Sequence, residues 1–303
     1  MGNSLTKQST GVSNVTFSTF MASPAIRKKI SEVVQGADGQ RFITAIISTV
    51  ATNPKLAECN HFTIFSAALL GESLKLSPSP QLGQYYLVPY KNKNNGMQAQ
   101  FQLGYKGYIQ LAIRSGQYRK INVLEIKEGE LISFDPLSET LEIDFIKNGI
   151  QREQSKTIGY YVSFELINGF RKALYWSYEK MLNHADKYSQ AFSSKKYAEL
   201  LEGKIPESDL WKYSSFWYKN FDEMAKKTML RQIISKWGVM SIELQTAFKN
   251  DTGVIQEDNT VDYVDENITG FVEVQPETEP EKESISNKQE IGKKSSNLLD
   301  GVE

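Results

Sequence analysis

The chain of 303 residues is poor in the side chains on which most enzyme chemistry rests, with one cysteine, Cys59, and two histidines, His61 and His184. A lone cysteine closes no intrachain disulfide, which fits a reducing compartment. Cys59 and His61 are too few for zinc, since a closed site takes four ligands and an open one three from the protein, so both read as structural. No apolar run approaches the roughly 18 residues that cross a bilayer. The polar start MGNSLTKQSTGVSNVTF lacks the cationic and apolar blocks of a secretory signal. A cytoplasmic protein without membrane attachment is expected. HExxH and GxSxG are also missing. The nearest approach to a phosphate loop, Gly292-Lys293, has Asn287 where the upstream glycine belongs and Lys294 where Ser or Thr should follow. Neither a cofactor nor an ATP-driven motor is expected.

Charge is present but unevenly spread. The net charge of -1 divides into 14 acidic residues against 4 lysines over residues 251–303, and 31 cations against 22 anions before them. A cationic body with an acidic end suits a protein that binds a polyanion, and equally any soluble chain with a disordered end.

Patterning predicts an α+β fold: an antiparallel sheet with hairpins, flanked by helices, between a flexible arm over 1–22 and an acidic, disordered tail over 251–303. Ser23-Pro24 reads as a helix start, continued through Ile26, Ile30 and Val33, with further helices over 39–52 and 63–74. Strands are predicted over 85–91 and 98–105 about the loop NKNNG, and over 119–126, 140–147, 157–166 and 170–177. Asn148-Gly149 and Asn168-Gly169 read as hairpin turns. On the second strand Gln100 and Gln102 alternate with Phe101 and Leu103, which predicts one polar face. A helix is predicted over 106–115, and long helical segments over 219–237 and 241–250. No internal repeat is evident.

Two clusters carry candidate chemistry. The first runs through LVPYKNKNNG and GYKGYIQLAIRSGQYRK, with Tyr90, Lys91, Lys93, Tyr105, Lys106, Arg114, Arg119 and Lys120. Cations meet phosphates and aromatic faces stack on bases, while Gly104 and Gly107 leave room for a backbone partner beside a helix N-terminus. An ordinary strand–helix junction with an exposed basic surface would look the same. The second is FDEMAKKTMLRQIISKWGVM, where helical spacing puts Lys227 and Arg231 on one narrow face. Lys226 and Lys236 fall inside the apolar sector of Phe221, Met229, Ile233 and Trp237, so each must snorkel, pair or face a ligand. Asp222, one turn before Lys226, is its simplest partner. Glu142 and Asp144 share a strand face, as magnesium-binding acids would, but a solvated face opposite Leu141, Ile143 and Phe145 needs no metal.

The segments LGQYYLVPYKN, QLGYKGYIQLAIRSGQY and W-x-x-N-F-D-E-M-A-K-K-T-M-L-R, the last beginning at Trp217, resemble the RecT family of phage single-strand annealing proteins. The resemblance spans residues 25–250. It implies a non-enzymatic protein that oligomerises on single-stranded DNA, as a ring or a helical filament, and anneals complementary strands to duplex without ATP in homologous recombination. Partners it implies are a phage exonuclease and the host single-strand-binding protein. Carried over, it makes Tyr90, Lys91, Tyr105, Lys106, Gly107, Arg114, Lys226, Lys227 and Arg231 the DNA contacts, to which charge adds Lys93, Arg119, Lys120 and Lys236. Rival readings are a magnesium-dependent nuclease using Glu142 and Asp144, a purely protective single-strand binder, and an RNA-binding protein.

Overall fold

Side-chain oxygens of Thr16, Asn53 and Asn60 accept backbone N–H bonds and so open three of the first five helices. The computed structural model describes residues 15–263 apart from Gln35, Lys93, Asn94 and Asn259. Its helical block comprises α1 (Phe17–Ala22), α2 (Pro24–Val33), α3 (Ala37–Ala51), α4 (Pro54–Ala57) and α5 (His61–Ser73). Pro24 stands at the first helical position of α2, as predicted, and Val34 rather than Val33 turns inward. Helix α1 falls within residues expected to form an arm. Its Phe17 and Phe20 pack around His61, and Cys59 is buried with its thiol donating to the Lys55 carbonyl at 3.4 Å.

Strands β1 (Tyr85–Asn92) and β2 (Gly96–Leu103) pair in register from Tyr85↔Leu103 to Asn92↔Gly96. Gly96 takes φ 72°, the left-handed geometry that a tight hairpin turn asks of glycine. Helix α6 (Tyr105–Arg114) follows, and Gly116 at φ 68° ends its turn before β3 (Tyr118–Lys127). Then come β4 (Leu131–Asp135), β5 (Thr140–Ile143), α7 (Gly149–Gln154), β6 (Thr157–Leu166) and β7 (Arg171–Ser177). Helices α8 (Tyr178–Tyr188), α9 (Ser194–Leu201), α10 (Phe216–Lys219), α11 (Phe221–Trp237) and α12 (Ile242–Asn250) lead to β8 (Gly253–Ile255) and β9 (Val261–Tyr263). A single 3₁₀ segment, Glu207–Lys212, links α9 to α10.

The strands make an antiparallel sheet β1-β2-β8-β9, a second sheet β3-β6-β7 and the separate hairpin β4–β5. Helix α11 lies across the second sheet and buries Phe221, Ala225, Met229, Leu230, Ile233 and Ile234. The fold is α+β, as the patterning predicts.

Four details depart from the sequence reading. Asn148-Gly149 does not turn a hairpin: Asn148 caps α7, accepting the N–H groups of Ile150 and Gln151. The strand expected over 140–147 stops at Ile143, and Phe145 stays exposed with the Arg152 guanidinium over its ring. The polar face of β2 is not solvated, for Gln98, Gln100 and Gln102 are all buried. The cover comes from beyond residue 250, where Gln100 donates to the Thr252 carbonyl and Gln98 to Gln256 at 3.4 Å. The body therefore extends past the expected 23–250 core at both ends, through α1 and through β8 and β9.

Candidate nucleic-acid interface

The first cluster folds around a close approach of backbones. A Cβ on Gly104 would strike the Gly83 carbonyl, and one on Gly107 the Gln84 carbonyl, so both glycines let the start of α6 rest on the segment before β1. The Gly104 N–H donates to Gln84 at 2.8 Å and fixes that contact. Gly107 is buried by this packing, which assigns it to the frame rather than to a ligand surface.

Beside the junction opens a cleft lined by Tyr86 of β1, Gln102 of β2, Tyr105 of α6, Phe216 of α10, and Glu223 and Met224 of α11. Two parts of the chain far apart in sequence meet here, the β1–β2 hairpin with the start of α6 and the segment 216–227. The Tyr86 and Phe216 rings lie 5.0 Å apart, and the Tyr105 ring carries Lys226 at 4.8 Å on one side and Lys106 at 5.8 Å. Lys106 is exposed at the rim, while Tyr105 is half-buried. The arrangement offers ring faces in a recess and an exposed cation at its edge, the two elements that hold a single strand without reading its sequence. Tyr86 and Phe216 were not singled out from sequence. Phe216-Trp217-Tyr218, an aromatic run directly before the second cluster, was the signal available.

The second cluster faces inward. Lys227 and Arg231 share one helical face, as their spacing requires, but that face meets Asp251. Lys227 Nζ lies 2.8 Å from one carboxylate oxygen, and Arg231 lies 3.1 Å from the other. Tyr108 donates to the same carboxylate at 2.8 Å, and the Leu103 N–H at 2.9 Å. Burial pushes the Asp251 carboxyl up, but Lys227 and Arg231 outweigh it and hold it below the usual carboxylate range. Lys227 is 6% exposed. These two cations tie α11 to the end of α12; Lys227 is buried yet borders the cleft, and Arg231 is half-buried. Asp251, expected in a disordered tail, is the anion they hold.

Lys226 has a different partner from the one its sequence suggests. It lies 3.1 Å from Glu125 of β3, and Asp222 instead accepts from Tyr160 at 2.5 Å. Burial raises the Glu125 carboxyl, yet Lys127 and Lys226 hold it below its ordinary range. The charge of Lys226 is thus met within the protein, and its remaining part at the cleft is to brace the Tyr105 ring.

The other expected contacts are scattered. Tyr90 and Lys91 stand near the tip of the β1–β2 hairpin, half-buried and exposed respectively. Lys93 lies outside the described residues. Arg114 is exposed at the end of α6, and Lys120 on β3. Arg119 pairs with Glu165 at 3.0 Å, as does Arg171. Lys236 is exposed at the far end of α11. Glu142 accepts from Ser133 at 3.0 Å, and Asp144 follows β5 rather than sharing its face. Among the described residues no three of His, Cys, Asp and Glu are arranged to hold a metal ion, and no helix is long and apolar enough to cross a membrane.

Both parts of the chain that shape the cleft lie within residues 40–269, the span matched by the sequence profile of the RecT family. The chain belongs to the RecT family. Among curated relatives it is similar to the uncharacterised protein YqaK of Bacillus subtilis strain 168, with 39% identity over 251 residues, 82% of this chain and 75% of the relative. It is also similar to the protein RecT of Escherichia coli K12, with 27% identity over 262 residues, 85% of this chain and 87% of the relative. RecT membership gives the chain a role in DNA recombination through single-strand annealing, and makes it a DNA-binding protein rather than an enzyme. The matched span runs past residue 250, in keeping with the place of Asp251 and β8 in the folded body.

Proposed function

We propose that this RecT-family protein holds one strand of DNA along the Tyr86–Tyr105–Phe216 cleft and the β1–β2 hairpin, and pairs it with a complementary strand without ATP. The observation that carries this reading is the convergence of the β1–β2–α6 unit and the distant segment 216–227 on one recess of aromatic rings, with Lys106 over the Tyr105 ring. Tyr105 and Lys106 are the central contacts, with Tyr90 and Lys91 extending the path. Lys227 borders the cleft while its charge is held by Asp251, and Gly107 and Arg231 support it from the frame. Phosphate neutralisation by the rim cations lowers repulsion between strands, so sequence recognition belongs to base pairing. Copies of the chain line up on the strand as a homo-oligomer, and a phage exonuclease and the host single-strand-binding protein are the partners that family resemblance supplies.

Binding of an oligothymidylate tests the site. Tyr105→Ala is expected to weaken binding by about 1–3 kcal/mol through lost stacking. Lys106→Ala is expected to lower the salt slope of binding by about 0.7, the loss of one single-strand phosphate contact. Unchanged affinity and slope in both variants would remove the cleft from the account.

A further inference from the structure

Helix α8, outside both clusters, presents a further basic and aromatic surface, which Lys236 at the end of the second cluster joins. Lys180, His184 and Lys187 are spaced by four and three residues and so share one face. Met181 and Ala185 turn the opposite way into the core. The acids of the helix, Glu179 and Asp186, lie on another flank, and Asp186 accepts the Ser194 N–H at 2.6 Å. Each lysine of the face rests on an aromatic ring: Lys180 lies 4.6 Å from the centre of Trp176, and Lys187 lies 5.1 Å from that of Tyr188. Between those rings sits His184, 5.2 Å from Trp176 and 4.6 Å from Tyr188. Lys236, from the end of α11, stacks over Trp237 at 5.8 Å.

The three lysines act on one place. Burial lowers the His184 pKa, and Lys187, Lys180 and Lys236 lower it further, to about 4. That imidazole is held neutral first by burial and then by the three lysines. All three lysines are exposed, and among the described residues none is paired with a carboxylate. Lys180 and Lys187 stand about 10 Å apart along the helix. Lys236 is ten residues from Lys226, about 15 Å along α11, so the strip lies well beyond the cleft.

We infer that the Lys180–Lys187–Lys236 strip is a second nucleic-acid site, which gathers the incoming strand by its phosphates while the cleft holds the first. This rests on the annealing reading given above. Aromatic rings beside exposed, unpaired cations suit a strand that offers both bases and phosphates, whereas an acidic peptide would make no use of the rings. A site of this kind need bind only weakly, since its task is to raise the local concentration of the second strand.

The test is the triple variant K180A/K187A/K236A in the full chain, compared with wild type for first-strand affinity, annealing rate and assembly state. All three side chains are exposed, so folding is expected to persist, and circular dichroism checks it. The inference expects first-strand affinity within about twofold of wild type, annealing slowed by about tenfold, and a shallower salt dependence of the annealing rate. Unchanged annealing would overturn it. An equal loss of affinity and annealing would also overturn it, making the strip part of the first-strand groove. Loss of self-association with annealing per assembled unit unchanged would overturn it in favour of a subunit contact. A wild type that binds strands but never accelerates their pairing would sink the annealing reading and this inference together.

Discussion

At the scale of single residues, the decisive anion is Asp251, in which Lys227, Arg231, Tyr108 and the Leu103 amide converge. Removing one member of a buried ion pair leaves the other charges uncompensated, which costs about 3–5 kcal/mol. Asp251→Asn is accordingly expected to lower the urea midpoint by a corresponding amount, and a loss below 1 kcal/mol would show that the triad does not hold the fold. The folded carboxyl titrates below its unfolded value, so its stabilisation is present above the ordinary carboxylate pKa and fades as pH falls through the folded one. His184 works in a higher window. Its folded pKa of about 4 lies under the ordinary 6.5, so its contribution is complete above pH 6.5 and is lost as pH falls toward 4. The wild type should lose about 2 kcal/mol more than H184Q between pH 7 and 4.5, as followed by urea unfolding at each pH. Equal losses would mean that His184 is not held neutral. Sequence made the spacing of Lys227 and Arg231 legible, but not their direction. A helical wheel says which residues share a face, and it took a carboxylate in an acidic, aperiodic stretch to say what that face meets.

Among the elements, those specified by local chemistry were legible and those specified by distant cover were not. The β1–β2 and β6–β7 hairpins follow from NKNNG and Asn168-Gly169, where Gly96 and Gly169 take φ 72° and 86°. Helix α7 was hidden because asparagine caps helices as readily as it opens turns, and Asn148 does the former. Strand β8 was hidden because three residues give no periodicity, and because the glutamines it helps to cover look like a solvated face. The candidate cleft was half legible: Tyr105 and Lys106 stood out from composition, while Tyr86 and Phe216 join them only through the fold. If β8 and Asp251 complete the body, two truncations should differ sharply. A chain ending at Tyr263 keeps every described element and should unfold cooperatively near the full-length midpoint, whereas a chain ending at Asn250 should lose cooperative unfolding by circular dichroism. Similar behaviour of the two would return the boundary to residue 250.

For the molecule as a whole, a body of 31 cations and 22 anions precedes an end of 14 acids and 4 lysines. The described part of the body spends much of its charge on itself, through Asp251, Glu125, Glu130 and Glu165. What is left for a polyanion includes the rim of the cleft, the hairpin and the α8 strip. This distribution explains why net charge alone leaves function open, while RecT membership and a cleft of rings give it a direction. The most direct test of the central claim is the pairing of two complementary fluorescent oligonucleotides with the full chain, without nucleotide, followed by a gel for strand length. Accelerated pairing at intact length, slowing as salt rises, is the predicted result. Pairing no faster than in buffer, or strands shortened in the presence of magnesium, would contradict it.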